Sequence, residues 1–377
     1  MISQRQQRVA GYVNQWLREM KVGDVLISRL VVVDCEMRIG IAVVRMGGIG
    51  DVHTEPEHRM KGHMAQFMPD TVKWMAQQGY DCSLLFGIHD FYHRFGYAVC
   101  LAEPRITIPT RDSERAEAVL QTRAAQPQDF PAILGIYNDN NRTRTCSLVR
   151  PADWPAFRHG SEYYGETDAV VVTDAGGQVV GYAAIDRYQQ RATIAELGAR
   201  EGASQRRIFS TLMRAFAEVA IERRCGEISI CLPLDHPFAI FARRFGYSAS
   251  ANYPRNGGGM GRIINLQSLF QKLLPELNRR LSEASPGQDQ SGSLSLVTEI
   301  GTIGLSVTGD QVSLDDDSGA TARLQVPQAV LTQLLLGYRT VDDVLADPEV
   351  KMKGEALPIL QLLPCRDFAY MWKQDHF

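Results

Sequence analysis

Phe91-Tyr92-His93-Arg94-Phe95-Gly96-Tyr97 returns 150 residues later as Phe241-Ala242-Arg243-Arg244-Phe245-Gly246-Tyr247. The segments leading to each copy match as well. Ahead of the second copy, Val170–Thr173 and Val179–Ile185 read as a hairpin turning at Asp174-Ala175-Gly176-Gly177. A strand at Ile194–Gly198, a helix over 207–223 and a strand at Glu227–Cys231 follow. Ahead of the first copy, residues 24–33 are rich in β-branched and aliphatic side chains and predict a strand. Met37–Arg45 predicts a second strand and Met46–Thr54 a glycine-rich third. Glu55–Gly62 reads as a turn. Residues 63–78 read as a helix with Met64, Phe67, Met68, Val72 and Met75 on one side, kinked or broken at Pro69. Tyr80–Phe86 is a short buried strand, and 88–95 a short helix or turn. At the start, Val9, Val13, Trp16 and Leu17 share a helical face, so residues 5–20 predict a helix. Two copies of one α/β unit are the economical reading.

After residue 262 the composition changes. Leu266, Leu269, Phe270, Leu273, Leu274 and Leu277 make 264–282 an amphipathic helix, and a Ser/Gly/Gln-rich linker fills 283–293. Strands at 294–299, 303–308 and 311–314 and helices at 327–336 and 355–363 complete a small α+β domain, with Asp315-Asp316-Asp317 as a solvated turn. The expected domains are 1–105, 106–262 and 263–377.

With 377 residues the chain has room for two or three domains. A net charge of −3 removes any global basic field that would argue for nucleic acid. No run of about 18 apolar residues predicts a membrane span, and the polar N-terminus is unlike a signal peptide. The seven cysteines are odd in number, scattered and without a C-x-x-C pair, which argues against a disulfide framework or zinc site and for a reducing, cytoplasmic setting. His53, His58, His63, His89 and His93 lie close in sequence without metal-ligand spacing, so no metal is expected.

The chemistry concentrates in the first copy. Glycine inside a strand marks a place where another backbone or a ligand comes close, and Gly47, Gly48 and Gly50 stand in one. The turn that follows carries Arg59-Met60-Lys61-Gly62 and opens a helix at His63-Met64. Such a helix start presents unpaired amides and a positive dipole end to a phosphate, Gly62 lets the backbone approach, and Arg59 and Lys61 add charge.

Asp51–Ala65, the helix behind it and Phe91–Tyr97 resemble the GNAT acetyltransferase superfamily. That resemblance implies that Asp51, Val52 and His53 bind the pantetheine arm through their backbone. It implies that Arg59, Met60, Lys61, Gly62, His63 and Met64 hold the pyrophosphate of acetyl-CoA, and that Tyr92 is the general acid to the thiolate. Met64 departs from the small residue frequent at its place. Along nearly the whole chain, Gly47–Val52, Leu84-Leu85-Phe86-Gly87, Leu334–Arg339 and the ending Met371–Phe377 resemble the enhanced-intracellular-survival (Eis) type: a working acetyltransferase unit, a degenerate second one and a sterol-carrier-like C-terminal domain. The resemblance implies that the carboxylate of Phe377 is the general base and that the protein is a homo-hexamer.

The second copy lacks the parts. Ser204-Gln205-Arg206-Arg207-Ile208-Phe209 stands where the phosphate loop would be, without glycine, and Ala242 stands in the place of Tyr92. Within the family the unit also has more chain ahead of its first strands than the residues before 24 supply. Two functions follow. The first is acetyl transfer from acetyl-CoA to a primary amine of an aminoglycoside, a polyamine-like compound or a lysine, by direct attack. The alternative is a non-catalytic protein binding an apolar ligand in the sterol-carrier-like domain.

Overall fold

The computed structural model describes residues 2–7, 15–154, 167–186, 191–284, 290–315 and 319–377. They group into two compact units. One holds 1–101, 254–369 and Phe377; the other holds 102–253 and 370–376.

Strands β1 (Ile2–Gln7), β2 (Gln15–Val22), β3 (Val25–Ile39) and β4 (Ala42–Thr54) run antiparallel in succession. Of the helix expected over 5–20, residues 5–7 belong instead to β1 and 15–20 to β2, and 8–14 lie outside the described residues. Arg18 hid the alternation: it is buried in β2 because its guanidinium pairs with Asp70 at 2.5 Å and lies 4.6 Å from the centre of the Trp74 ring. The pieces expected at 24–33, 37–45 and 46–54 are two long strands turning at Gly40. Helix α1 (His63–Gln77) crosses to β5 (Cys82–Gly87), which pairs parallel with β4 over Met46–Ile49 and Cys82–Leu85. Phe67, Met68, Thr71, Trp74 and Met75 are the buried stripe of α1. The helix runs unbroken through Pro69, which is exposed. The carbonyl of Ala65, which loses its partner there, is on the solvent side too. After Tyr92–Phe95, a single 3₁₀ turn, comes β6 (Ala98–Val99).

The second unit has β7 (Glu103–Pro109), β8 (Gln121–Ala124), β9 (Thr167–Thr173), β10 (Val179–Asp186), β11 (Ala192–Ala199), the helix Gln205–Glu222, β12 (Glu227–Ile230) and β13 (Ser248–Asn252). β14 (Gly258–Ile263) follows. The two seven-stranded sheets have the orders β1-β2-β3-β4-β5-β14-β6 and β13-β7-β12-β11-β10-β9-β8. They match position by position, but β14 takes in the first sheet the place that β7 takes in the second. The last strand of each copy thus pairs in the other copy's sheet, and the segment 258–263, expected in the second copy, pairs with Cys82–Gly87.

Within the first unit a five-stranded sheet of β15 (Gln290–Thr298), β16 (Gly301–Gly309), β17 (Gln311–Asp315), β18 (Ala322–Gln325) and β19 (Lys351–Lys353) has the order β17-β16-β15-β18-β19. The helix Leu266–Ala284 packs on both β4 and this sheet, and the helix Gln328–Leu335 on β14 and β6. Asp316 and Asp317, expected in a turn, lie outside the described residues. No helix among the described residues is long and apolar enough to cross a membrane.

His236 begins the helix Pro237–Ala242 by accepting, at Nδ1, the amide of Phe238 at 3.1 Å. The ring is buried, and burial, with nearby Arg144 adding, lowers its pKa from 6.5 to about 3. The folded imidazole is neutral, whereas the unfolded one charges below 6.5. Its contribution is present above pH 6.5 and is lost as pH falls toward 3, by up to about tenfold in the folding constant per pH unit. Denaturant midpoints measured from pH 7 to pH 4 should fall less steeply in His236→Asn, which keeps a capping oxygen without the titration.

Candidate active site

Pairing of β4 with β5 ends at Ile49 opposite Leu85. Beyond it β4 bulges: Asp51 and Val52 both face Leu30, between the pairs Val31–Gly50 and Arg29–His53. Asp51 has a positive φ of 46°, a conformation that aspartate tolerates, and its carboxylate lies 3.2 Å from Arg29 Nε. A bulge leaves backbone groups out of the ladder, so this stretch of β4 has amides to offer. Beneath, the Tyr97 hydroxyl donates to Ser83 Oγ at 2.8 Å, and Ser83 donates to the Gly47 carbonyl at 2.6 Å. Burial raises the Tyr97 pKa far above its ordinary 10, so it stays a donor that ties β5 to β4.

Each sequence-predicted residue has a place near this opening or the loop that leads from it. His53 lies 3.7 Å from Glu55. Arg59 donates from Nε to the Thr54 carbonyl at 3.0 Å, its side chain folded back along the strand end. Met60 is fully exposed with φ 60°, and Lys61 is exposed. Gly62 is the N-cap of α1 at φ 78°, left-handed, where any side chain would be strained although nothing crowds it. His63 and Met64 form the first turn, and Met64 packs on the core, which explains the larger residue there. No side chain caps α1 and no acid sits in its first turn, where the Ala65 amide donates to the Gly62 carbonyl at 3.1 Å.

The two faces of the opening differ. Residues i and i+2 of a strand project to one face. On the face away from α1, Phe377 fills the places of the missing side chains: a Cβ on Gly48 would lie 2.5 Å from its ring, and one on Gly50 2.8 Å from its carboxyl carbon. Its ring also lies 5.9 Å from that of Phe86. Gly48 and Gly50 are glycines because Phe377 occupies their side-chain space. On the α1 face, Leu85 and Tyr92 belong to the core cluster with Ile49, Phe67, Met68 and Trp74. The Tyr92 ring packs directly on Gly87, at the end of β5, and edge-on against Phe91 at 4.9 Å. The sequence reading missed Phe86 and Gly87 as packing partners; a glycine ending a buried strand was the available signal. Among the described residues no cluster of His, Cys, Asp or Glu could hold a metal.

The second unit keeps the frame and fills the opening. Parallel pairing of β11 with β12 ends at Ile194 opposite Ile230, and β11 bulges at Ala195. Next comes Glu196, buried, taking both Arg150 Nη1 and Nη2 at 2.9 and 2.6 Å, while Arg150 Nε donates to Asp375 Oδ1 at 2.8 Å. The Tyr137 and Tyr182 hydroxyls donate to Asp375 and Glu196, both at 2.7 Å. So deep an ion triad persists because each edge of the guanidinium is engaged. A Cβ on Gly198 would meet the Tyr182 ring at 2.5 Å. Ser204, the N-cap of the helix Gln205–Glu222, is right-handed, and Ala242 is fully buried.

In the C-terminal part of the first unit a cavity of about 860 Å³ is lined by Val307, Leu345, Met352, Leu357 and Ile359, with Ser291 and Glu355 among its polar groups.

A family model described as the acetyltransferase (GNAT) domain matches residues 4–100. No curated protein matches the chain. Solved structures share its fold. A conserved protein of unknown function from Enterococcus faecalis V583, a probable N-acyltransferase, is 17% identical with a TM-score of 0.75 over 96% of this chain and 89% of its own. A GCN5-related N-acetyltransferase from Kribbella flavida is 18% identical at 0.68, over 96% and 88%. Eis1 from Mycobacterium abscessus is 13% identical at 0.62, over the full length of both. Residues 4–100 are thus similar to the acetyltransferase (GNAT) domain, and the mixed α/β chain that holds them has the fold of these proteins.

Proposed function

We propose that the chain transfers an acetyl group from coenzyme A to a primary amine by direct attack. The observation that carries this reading is the opening past Ile49 and Leu85, with the Phe377 carboxyl on one face and Tyr92 on the other. Arg59, Lys61 and the amides of Met60–Met64 hold the donor's pyrophosphate, and β4 at Asp51–His53 holds the pantetheine arm. The bound donor supplies an activated thioester. In the sequence as it stands, Phe377 carries the α-carboxylate, which takes a proton from the acceptor ammonium, whose ordinary pKa is near 10.4. Amides at the bulge hold the carbonyl oxygen as it gains charge. The new C–N bond forms on the Phe377 face, the C–S bond breaks toward the α1 face, and Tyr92 gives its phenolic proton to the departing sulfur. Burial pushes the thiols of Cys82 and Cys100 above the ordinary range, so neither is a ready thiolate nucleophile.

Calorimetry with acetyl-CoA tests the donor site. The wild type should bind in the micromolar range. Gly62→Glu, which puts a strained side chain and a negative charge where the pyrophosphate enters, should lower affinity at least ~100-fold, on the scale of about 1.4 kcal/mol per tenfold. Equal affinity of the two would remove the donor from α1.

The cavity of about 860 Å³ favours a second reading, binding of an apolar ligand by the C-terminal part. Saturable binding of a fluorescent fatty acid, lost in Leu357→Asp, would support it; no binding would leave that cavity as a surface cleft.

A further inference from the structure

We propose that the ring of Phe377, backed by Phe86, limits the length of the acyl group that the site accepts. This rests on the acyl-transfer reading above and uses a different part of the residue: the carboxyl group meets Gly50, whereas the ring lies one strand repeat deeper, on Gly48. The narrow end of the gap lies there, because β4 and β5 are still paired at Gly48–Leu84 and Ile49–Leu85. An acyl group whose carbonyl oxygen meets amides at the bulge has two directions for its chain. Toward α1 it meets Leu85, Met68 and the Tyr92 ring, all buried. Toward the other face it meets Phe377, whose ring is in contact with the Gly48 backbone and stands 5.9 Å from Phe86. Neither direction has room for several methylenes without displacing an aromatic ring, and close-packed interiors resist such displacement. The glycines at 48 and 50 are what let Phe377 sit so close to the strand. The structure therefore assigns the site a short acyl thioester, acetyl or propionyl, and assigns the discrimination to an aromatic side chain rather than to the shape of the sheet.

The test is calorimetric and uses no amine. Acetyl-CoA, butyryl-CoA and octanoyl-CoA are titrated into the full chain, into Phe377→Gly, which keeps a terminal carboxylate, and into Phe86→Ala. Wild type should bind acetyl-CoA at least ~10-fold more tightly than octanoyl-CoA, the order of discrimination a close-fitting apolar pocket gives for added methylenes. In both variants that ratio should close or invert. If Phe377→Gly no longer binds acetyl-CoA, Phe86→Ala decides, with its thermal unfolding followed to show that it is folded. Equal binding of all three thioesters by the wild type overturns the proposal. An unchanged ratio in a folded variant that binds acetyl-CoA also overturns it, with the transfer reading intact. Absence of binding by the wild type to any thioester overturns both.

Discussion

Tyr92→Phe lowers the turnover number for acetyl transfer by ~10²–10⁴-fold, the usual contribution of a positioned general acid, and leaves acetyl-CoA affinity unchanged. The substitution removes one oxygen and keeps the ring that packs on Gly87 and Phe91, so the core cluster around it is preserved. A loss confined to turnover separates a role in protonating the leaving thiolate from a role in binding. The defect should shrink with an acyl donor whose thiol leaves readily as an anion, since such a group needs no proton. A Tyr92→Phe enzyme with full turnover on acetyl-CoA would assign the acid elsewhere.

Appending one glycine after Phe377 lowers turnover at pH 7 by ~10²-fold, within the range for loss of a general base. The carboxyl carbon that stands over Gly50 becomes an amide carbon, and the charge moves about 3.5 Å along the chain. The ring stays on Gly48, so the change reads the carboxylate alone. The pH profile gives the sign. Below the acceptor's pKa of about 10.4 the substrate is an ammonium and needs a base; as pH rises toward that value the free amine grows and the base matters less. The extended chain should therefore approach the wild type at high pH. A constant ratio across pH would point to displacement of the tail rather than loss of a proton acceptor.

Much of this was legible from residues. Met64, Phe67, Met68, Val72 and Met75 marked α1, and its observed range, His63–Gln77, follows that stripe. Gly47, Gly48 and Gly50 in a strand announced a close approach, and Phe377 makes it at Gly48 and Gly50 while Met75 makes it at Gly47 on the opposite face. Three things were not legible. The burial of Arg18 in β2 depends on its partner Asp70, 52 residues away, which no local pattern announces. The exchange of β7 and β14 between sheets involves two short apolar strands of similar character, and nothing local says which sheet each joins. The bulge at Asp51–Val52 is a mismatch of register between β3 and β4, visible only once both strands are paired.

The second unit shows why a retained frame is not a retained site. It keeps the parallel pair, the bulge after it and the following helix. Past that bulge it places Glu196, Arg150 and Asp375, so space that could admit a thioester holds an ion triad and two tyrosines. Acyl transfer on this chain accordingly belongs to the first unit in the proposal above.

The measurement that bears most directly on that proposal follows acetyl-CoA with a panel of primary amines: an aminoglycoside, a polyamine and a lysine peptide. Free coenzyme A thiol and N-acetylated product are quantified together in wild type and Tyr92→Phe. Equimolar release of thiol and appearance of acetyl-amine with at least one acceptor, reduced ~100-fold or more by the substitution, is the expected result. Binding of acetyl-CoA with no thiol released above the buffer rate for any amine would contradict transfer at this site.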